Sequence, residues 1–157
     1  MNKLFLDLEE TVVDSWQSQR LVNVGAVKSF LQNNSFDEVG VFSFAVWNND
    51  DVAVFNRDLK PVLNRALNVD LKDCPSVPDV MKADTKLTGV QWHNDVTEFI
   101  QVRGKFTAFL NWCKLNHPND NCVLLDDMVP NVTVVDRDTG TVIQFVNVNK
   151  IKDLVTT

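Results

Sequence analysis

The sequence has little of the material from which disulfide frameworks, zinc sites and membrane spans are built. Only three of its 157 residues are cysteines, Cys74, Cys113 and Cys122, and no two of them have C-x-x-C spacing. So few thiols, odd in number, argue against a disulfide framework and against a zinc site. No apolar run is long enough for a membrane-spanning helix or for the core of a signal peptide. We therefore expect a soluble, cytoplasmic protein without a membrane partner.

Positive charge and glycine-rich phosphate loops are also scarce. The chain carries 15 basic and 21 acidic residues, which gives a formal net charge of −6. Binding along duplex nucleic acid requires a basic face, so we expect no extensive surface of that kind. A small site for a nucleic acid end is compatible with this charge. Neither G-x-G-x-x-G nor G-x-x-x-x-G-K-[ST] occurs, which excludes the nucleotide-binding folds that depend on those loops.

Apolar residues are what the chain has in quantity. They make up 45% of it, enough for one core of ordinary proportions, so we expect a single domain over residues 1–157. Several short apolar runs are typical of strands. These runs cover residues 3–8, 39–46, 122–127, 132–135 and 141–146. A turn with Gly140 at a positive φ is expected to join the last two strands as a C-terminal hairpin.

Apolar residues at helical spacing separate the strands. The predicted helical stretches cover residues 24–33, 52–67, 79–83, 104–116 and 150–154, and a further helix is expected after Asp95. Asn23 and Asp95 are the expected N-caps. Pro61 favours two short helices within 52–67, and Pro75 and Pro78 predict an irregular segment before residue 79.

The alternation of strands and helices predicts an α/β protein with a mostly parallel sheet in three layers, because parallel neighbours need crossovers and the crossovers cover both faces. Sites in such sheets lie at the carboxyl ends of the strands. That rule selects polar residues that follow or end three separate strands. They are Asp7 and Glu9, Ser43, and the pair Asp126 and Asp127.

Four short elements, in this order, resemble the motifs of the haloacid dehalogenase-like (HAD) phosphohydrolase superfamily. They are a strand running into D-L-E-E-T at Asp7, a second strand leading to Ser43, a lysine at Lys105 near the start of a later helix, and a strand ending in Asp126 and Asp127. Together they span most of the chain. The resemblance implies a three-layer, Rossmann-like HAD core.

The resemblance also implies a phosphatase reaction. It makes Asp7 the nucleophile, which forms an aspartyl-phosphate that water later hydrolyses. Glu9 takes the role of general acid and base. Ser43 would donate a hydrogen bond to a phosphoryl oxygen, and Lys105 would balance the negative charge of Asp7 and the phosphate. Lys86 and Lys114 are the alternatives for that lysine.

A magnesium ion belongs to the same expectation. The resemblance implies that Asp127 holds Mg²⁺ together with a carboxylate oxygen of Asp7 and the backbone carbonyl of Glu9, while Asp126 supports the site from behind. The charges point the same way, since carboxylates gathered at one sheet edge repel one another and a hard cation with oxygen ligands relieves this repulsion. The alternative is that these acids only cap helices and form turns.

The sequence departs from the family pattern at Glu9, where the family's phosphatases carry a second Asp. The extra methylene moves the carboxyl group by more than about one ångström, and a misplacement of that size can cost ~100-fold in rate. Two functions therefore stay open. One is a phosphatase; the other is a regulatory or binding protein on the same scaffold with weak or lost catalysis. The asparagine-rich, compact chain also resembles proteins of large bacteriophages in composition.

The spacing of the motifs leaves hardly any room for a cap domain. The stretch between Asp7 and Ser43 holds only a loop, one predicted helix and one predicted strand. An uncovered site is poorly protected from water. We therefore expect the lid to come either from a macromolecular substrate or from a partner chain. The macromolecular substrate would be a phosphoprotein or a nucleic acid end. Trp47, which follows the second strand, is a candidate for the border of the site. Nothing in the sequence indicates the oligomeric state.

Overall fold

The structure, a computed structural model, describes residues 1–72, 74–93 and 95–151. A five-stranded sheet forms its centre. The strands are β1 (Asn2–Leu6), β2 (Glu38–Val41), β3 (Asn121–Asp126), β4 (Val132–Val135) and β5 (Val142–Asn147). Their order is β2-β1-β3-β5-β4, and all neighbours run parallel except β4 and β5, which are antiparallel. The predicted α/β class and the mostly parallel sheet are confirmed.

Six α-helices and one π-helical segment accompany the sheet in the described residues. They are α1 (Val24–Asn33), α2 (Asn49–Val54), the π-helix (Phe55–Leu59), α3 (Lys60–Leu67), α4 (Val77–Thr88), α5 (Val96–Val102) and α6 (Lys105–Asn116). Residues 148–151 form a last helical turn. The predicted terminal helix at 150–154 lies mostly outside the described residues.

The prediction of two short helices, with Pro61 in the first turn of the second, is confirmed by α2 and α3. The π-helix, which the sequence did not predict, joins them, so helical structure continues from residue 49 to residue 67. Lys60 donates its backbone N–H to the carbonyl of Phe55, five residues back. A proline inside a regular helix clashes with the carbonyl four residues earlier, and the wider turn gives the ring room.

The prediction of only a helical turn at 79–83 is wrong, because α4 runs from Val77 to Thr88. Pro78 lies in the first turn, where a backbone N–H would have no partner within the helix. Ser76 and Asp79 form a reciprocal capping box. The proline therefore marks the start of this helix.

Of the two predicted N-caps, Asp95 is confirmed, since its Oδ1 accepts a hydrogen bond from the Glu98 backbone at 2.9 Å. Asn23 precedes α1 as expected, but its backbone is left-handed with φ 58° and its side chain does not cap the helix. Its amide donates instead to the carbonyls of Glu10 and Thr11. Asn23 thus ties α1 to the loop that follows β1.

The buried apolar residues form two clusters, one on each face of the sheet. Leu4 and Leu6 of β1 belong to the first cluster, and Phe5 between them belongs to the second. This follows from the alternation of side chains along a strand. Helices α1 and α3 contribute to the first cluster, whereas α4, α5 and α6 contribute to the second. Neighbouring strands are thereby held in register at both faces.

Three further observations bear on predictions made from the sequence. The three cysteines are buried. Among the residues that the structure describes, no helix combines the length and the apolar character needed to span a membrane. Gly140 has the positive φ, 74°, that was predicted for the turn between β4 and β5.

Candidate active site

Three aspartates meet at the carboxyl end of the sheet. Asp7 directly follows β1, Asp126 ends β3, and Asp127 comes next. Because β1 and β3 are parallel neighbours, with Leu6 opposite Leu125, their carboxyl ends lie side by side. Carboxylate oxygens of the three aspartates lie within 4.8 Å of one another. The structure thus brings together acids that are far apart in the sequence, as predicted.

Lys105 places an ammonium group among these acids. It is the first residue of α6, and the preceding Gly104 turns the chain with φ 76° and ψ 158°. Lys105 Nζ lies 2.5 Å from Asp7 Oδ1 and also forms an ion pair with Asp126. The ring of Phe44 covers the ammonium group at 5.9 Å. Lys105 therefore bridges two of the three carboxylates.

The other lysines considered from the sequence lie elsewhere. Lys86 and Lys114 occupy the last turns of α4 and α6. Lys105 is the single lysine among the described residues that line the site. The structure therefore favours Lys105 for the lysine that balances charge.

The loop after β1 holds Asp7 in a fixed orientation. The side chain of Asp7 is buried, and its Oδ2 accepts a hydrogen bond from the hydroxyl of Thr11 at 3.1 Å. Thr11 is fully buried, and a tight turn in which its N–H donates to Leu8 brings it back to Asp7. Sequence reasoning gave Thr11 no role. The signal that could have found it is its position four residues after Asp7.

Burial and mutual repulsion shift the pKa values of these groups. Burial raises the pKa of Asp7 above its usual range, although the Lys105 ammonium opposes this. Burial, together with the charges of Asp7 and Asp126, raises the pKa of Asp127 to about 7. Burial alone would lower the pKa of Lys105, but the two carboxylates outweigh it and raise that pKa. One ammonium group thus compensates only part of the acidic charge.

Asp126 and Asp127 differ in how much of each carboxylate is free. Asp126 is 1% exposed. Its Oδ1 accepts a hydrogen bond from the Met128 backbone at 2.7 Å, and its Oδ2 faces Lys105. Asp127 is only partly buried. Asp127 is therefore the more available of the two for a ligand that approaches from solvent.

Ser43 lies at the same edge of the sheet. Phe42 donates its N–H to Leu6 and continues the β1–β2 pairing by one residue, so Ser43 follows close to Asp7. Ser43 is 4% exposed, and its hydroxyl oxygen accepts from the Ala45 backbone at 3.2 Å. The hydroxyl hydrogen can serve a further acceptor.

One open cavity of about 730 Å³ is lined by all the site residues that were predicted from the sequence. Its lining includes Asp7, Glu9, Ser43, Lys105, Asp126 and Asp127. The apolar border includes Trp47 and Met128, whose side chains are 45% and 82% exposed. The volume falls within the range of ligand pockets. Trp47 therefore borders the site, as the sequence suggested.

Glu9 lines the cavity but lies outside the cluster of three aspartates. Its side chain is exposed, and Oε2 accepts a hydrogen bond from the backbone N–H of Trp16 at 3.0 Å. This contact holds the carboxylate on the loop that follows β1. The bond to Trp16 engages one of the two carboxylate oxygens of Glu9, so it restricts where this side chain can act on a bound group.

Comparison with known proteins returned no match: no family model fits the chain, and no curated protein or solved structure is significantly similar to it. The resemblance to HAD phosphohydrolases therefore rests on the four sequence motifs alone. Any function assigned to the site has to be argued from its chemistry.

Proposed function

We propose that this chain is a capless, magnesium-dependent phosphohydrolase with a three-layer, Rossmann-like core of the HAD type and a C-terminal hairpin. One observation carries the proposal. Asp7, Asp126 and Asp127 converge within 4.8 Å, and Lys105 pairs with two of them. Buried like charges at this spacing are costly unless a cation accompanies them. A site that gains from both a divalent cation and an incoming phosphate suits phosphoryl transfer.

The residues fit Mg²⁺, which prefers a few carboxylates with water and a substrate phosphate. Asp7 and Asp127 would hold it, with the backbone carbonyl of Glu9. Asp126, which is 1% exposed and accepts a hydrogen bond from the Met128 backbone, would support the site. When bound, the ion supplies positive charge beside the phosphoryl oxygens.

The reaction uses residues of this chain at each step. A carboxylate oxygen of Asp7 attacks phosphorus and the ester P–O bond breaks, while protonated Glu9 gives its proton to the leaving oxygen. Glu9 then removes a proton from water, which attacks the aspartyl-phosphate and releases inorganic phosphate and free Asp7. Ser43 and Lys105 hold the phosphoryl oxygens throughout.

The substrate we propose is a phosphoprotein. No cap covers the cavity in the part of the chain that the structure describes, which leaves it open to a large molecule. Trp47 and Met128 offer exposed apolar surface at its border. Glu9 and Glu10 add exposed acids to the lining. A nucleic acid end would bring further phosphates toward these acids, which disfavours it.

One contact, between Trp16 and Glu9, favours a second function, that of a regulatory or binding protein. The bond from Trp16 to Glu9 holds the proposed acid and base away from the aspartates, as expected of a regulatory or binding protein whose catalysis is weak or lost. Such a protein would not turn over phosphate esters. It would bind a protein partner, with Trp47 in the contact surface.

Turnover of an aryl phosphate separates the two functions. We expect magnesium-dependent release of phosphate that Asp7→Asn abolishes and Asp138→Asn, an exposed aspartate in the loop before β5, leaves intact. Activity that survives Asp7→Asn would rule out the nucleophile. In crystals soaked with Mg²⁺ and beryllium fluoride, we expect density joined to Asp7.

A further inference from the structure

A buried polar cluster lies beside the candidate site, on the face of the sheet covered by α4, α5 and α6. Its centre is Asp84 of α4, which is 1% exposed. Asp84 Oδ2 accepts a hydrogen bond from Trp92 Nε1 at 2.9 Å, and Oδ1 accepts one from Asn111 Nδ2 at 2.7 Å. Arg103 Nε lies 3.0 Å from Oδ1 as an ion pair. Four separate segments therefore meet at one carboxylate.

The polypeptide chain connects this cluster directly to Lys105 of the candidate site. Arg103 follows the last residue of α5, Gly104 makes the turn, and Lys105 begins α6. Asn111 lies six residues further along the same helix. In the sequence, Lys105 therefore lies between Arg103, which forms an ion pair with Asp84, and Asn111, which donates a hydrogen bond to it. The guanidinium of Arg103 also packs over the ring of Trp92 at 5.2 Å, which fixes its direction.

Stability alone does not explain the ion pair between the buried Asp84 and Arg103, whose side chain is 21% exposed, in these surroundings. The apolar cluster of this face includes Val80, Met81 and Phe99 as well as Trp92. Replacing a buried ion pair by packed apolar residues is often neutral or stabilising, whereas removing one partner is costly. What the pair does provide is a strong preference for one arrangement of the α5–α6 junction.

We propose that Asp84, acting through Arg103 and Asn111, is a positioning residue for Lys105. It fixes the start of α6 so that the Lys105 ammonium reaches Asp7 and Asp126 at the same time. The consequence for catalysis rests on the proposed phosphohydrolase function, but the effect on Lys105 does not.

The ammonium signal of Lys105 provides a direct test by ¹H–¹⁵N NMR. A buried, paired lysine exchanges its protons slowly, and Lys105→Arg identifies its signal. The double variant Asp84→Asn/Arg103→Gln removes both charges together. We expect it to shift or broaden the Lys105 signal and to leave that of Lys3, which pairs with Asp120 at 2.9 Å, unchanged. With an aryl phosphate, we expect kcat to fall ~10- to 100-fold, with a smaller change in KM.

Val80→Ala is the matched control, since Val80 is buried in the same helix and the same cluster. It lowers the melting temperature through lost packing and should leave the Lys105 signal and kcat in place. An unchanged Lys105 signal in the double variant would overturn the proposal. So would a change of equal size in Val80→Ala, because Asp84 would then act only on general stability.

The two proposals fail in different ways. Absence of turnover in the unmodified protein would remove the proposed function, while the NMR comparison would still decide whether Asp84 positions Lys105. If the double variant does not fold, Asn111→Ala, which removes the donor from α6 to Asp84, is measured on the same Lys105 signal. A Lys105 signal that is identical in that variant would overturn the proposal.

Discussion

At the scale of single residues, the orientation of Asp7 depends on Thr11. The hydroxyl of Thr11 is the donor to Asp7 Oδ2, and Lys105 pairs with the other oxygen. Both contacts are needed, because a buried carboxylate oxygen without a partner costs free energy. Thr11 also fixes which oxygen faces the cavity.

Thr11→Val should lower the free energy of unfolding by about 1–3 kcal/mol, because it keeps the volume but leaves a buried acceptor unpaired. Urea unfolding measures this change. Thr133→Val is the control, since Thr133 is exposed on β4 and should change stability much less. Equal effects of the two substitutions would show that the bond to Asp7 contributes nothing.

Asp127 makes the stability of the metal-free protein depend on pH. Its pKa rises to about 7 in the folded protein from a usual value of 3.8, so folding favours its protonated form. That contribution is complete below pH 3.8, falls as the pH rises from 3.8 to about 7, and is absent above that range. Ionised Asp127 then repels Asp7 and Asp126.

Asp127→Asn imitates the protonated form at every pH. In metal-free buffer, we expect the variant and the unmodified protein to melt at similar temperatures near pH 4, and the variant to melt higher at pH 8.5. Thermal unfolding at the two pH values, with Asp138→Asn as the control, measures this difference. Mg²⁺ should raise the melting temperature of the unmodified protein at pH 8.5 more than that of Asp127→Asn. A pH-independent difference would contradict this account.

At the scale of elements, the sequence predicted best where local pattern and tertiary structure agree. The strands leading to Asp7, Ser43 and Asp126 are buried apolar runs, so their positions could be predicted within a few residues. Pro61 correctly indicated the start of a second helix, but the π-helix that joins the two helices has no simple sequence signal. Asn23 was misleading because its side chain bonds to a distant loop.

The same argument applies to the site. Parallel strands end at one edge, and this rule predicted that Asp7 and Asp127 converge. It could not predict that Glu9 bonds to Trp16, because side-chain contacts within a loop depend on the detailed path of the backbone. The contact between Thr11 and Asp7 was missed for that reason.

The junction of α5 and α6 depends on Gly104. Its φ of 76° and ψ of 158° lie in a region that is essentially restricted to glycine. Gly104→Ala should therefore lower the free energy of unfolding by about 1–3 kcal/mol, and it should weaken catalysis by moving Lys105. No neighbouring atom lies within 4 Å of an added Cβ, so backbone strain is the cause.

Gly25→Ala is the control for this substitution, and urea unfolding again measures the change. Gly25 lies in α1, and an added Cβ there also meets nothing within 4 Å. Alanine is the better helix former, so this variant should be equal or slightly more stable. If the two substitutions change the free energy of unfolding equally, a side chain at position 104 does not strain the backbone.

At the scale of the whole molecule, charge decides which phosphates can approach. The chain has a formal net charge of −6. The lining of the cavity holds Glu9, Glu10 and Asp14 in addition to the three clustered aspartates, with Lys105 as the single cation among the described lining residues. The potential at the cavity is therefore negative except close to Lys105. A substrate gains if positive charge flanks its phosphate.

This charge distribution predicts a ranking of substrates. We expect kcat/KM to be highest for a phosphopeptide with Arg and Lys beside the phosphorylated residue, lower for the same peptide with Asp and Glu there, and lowest for a 5′-phosphorylated oligonucleotide. Raising the salt concentration from 50 to 500 mM should narrow the differences, because screening weakens interactions between exposed charges. An aryl phosphate without flanking charges is the control and should respond least to salt. A preference for the oligonucleotide would contradict the proposed substrate class and leave the phosphatase chemistry of Asp7 in place.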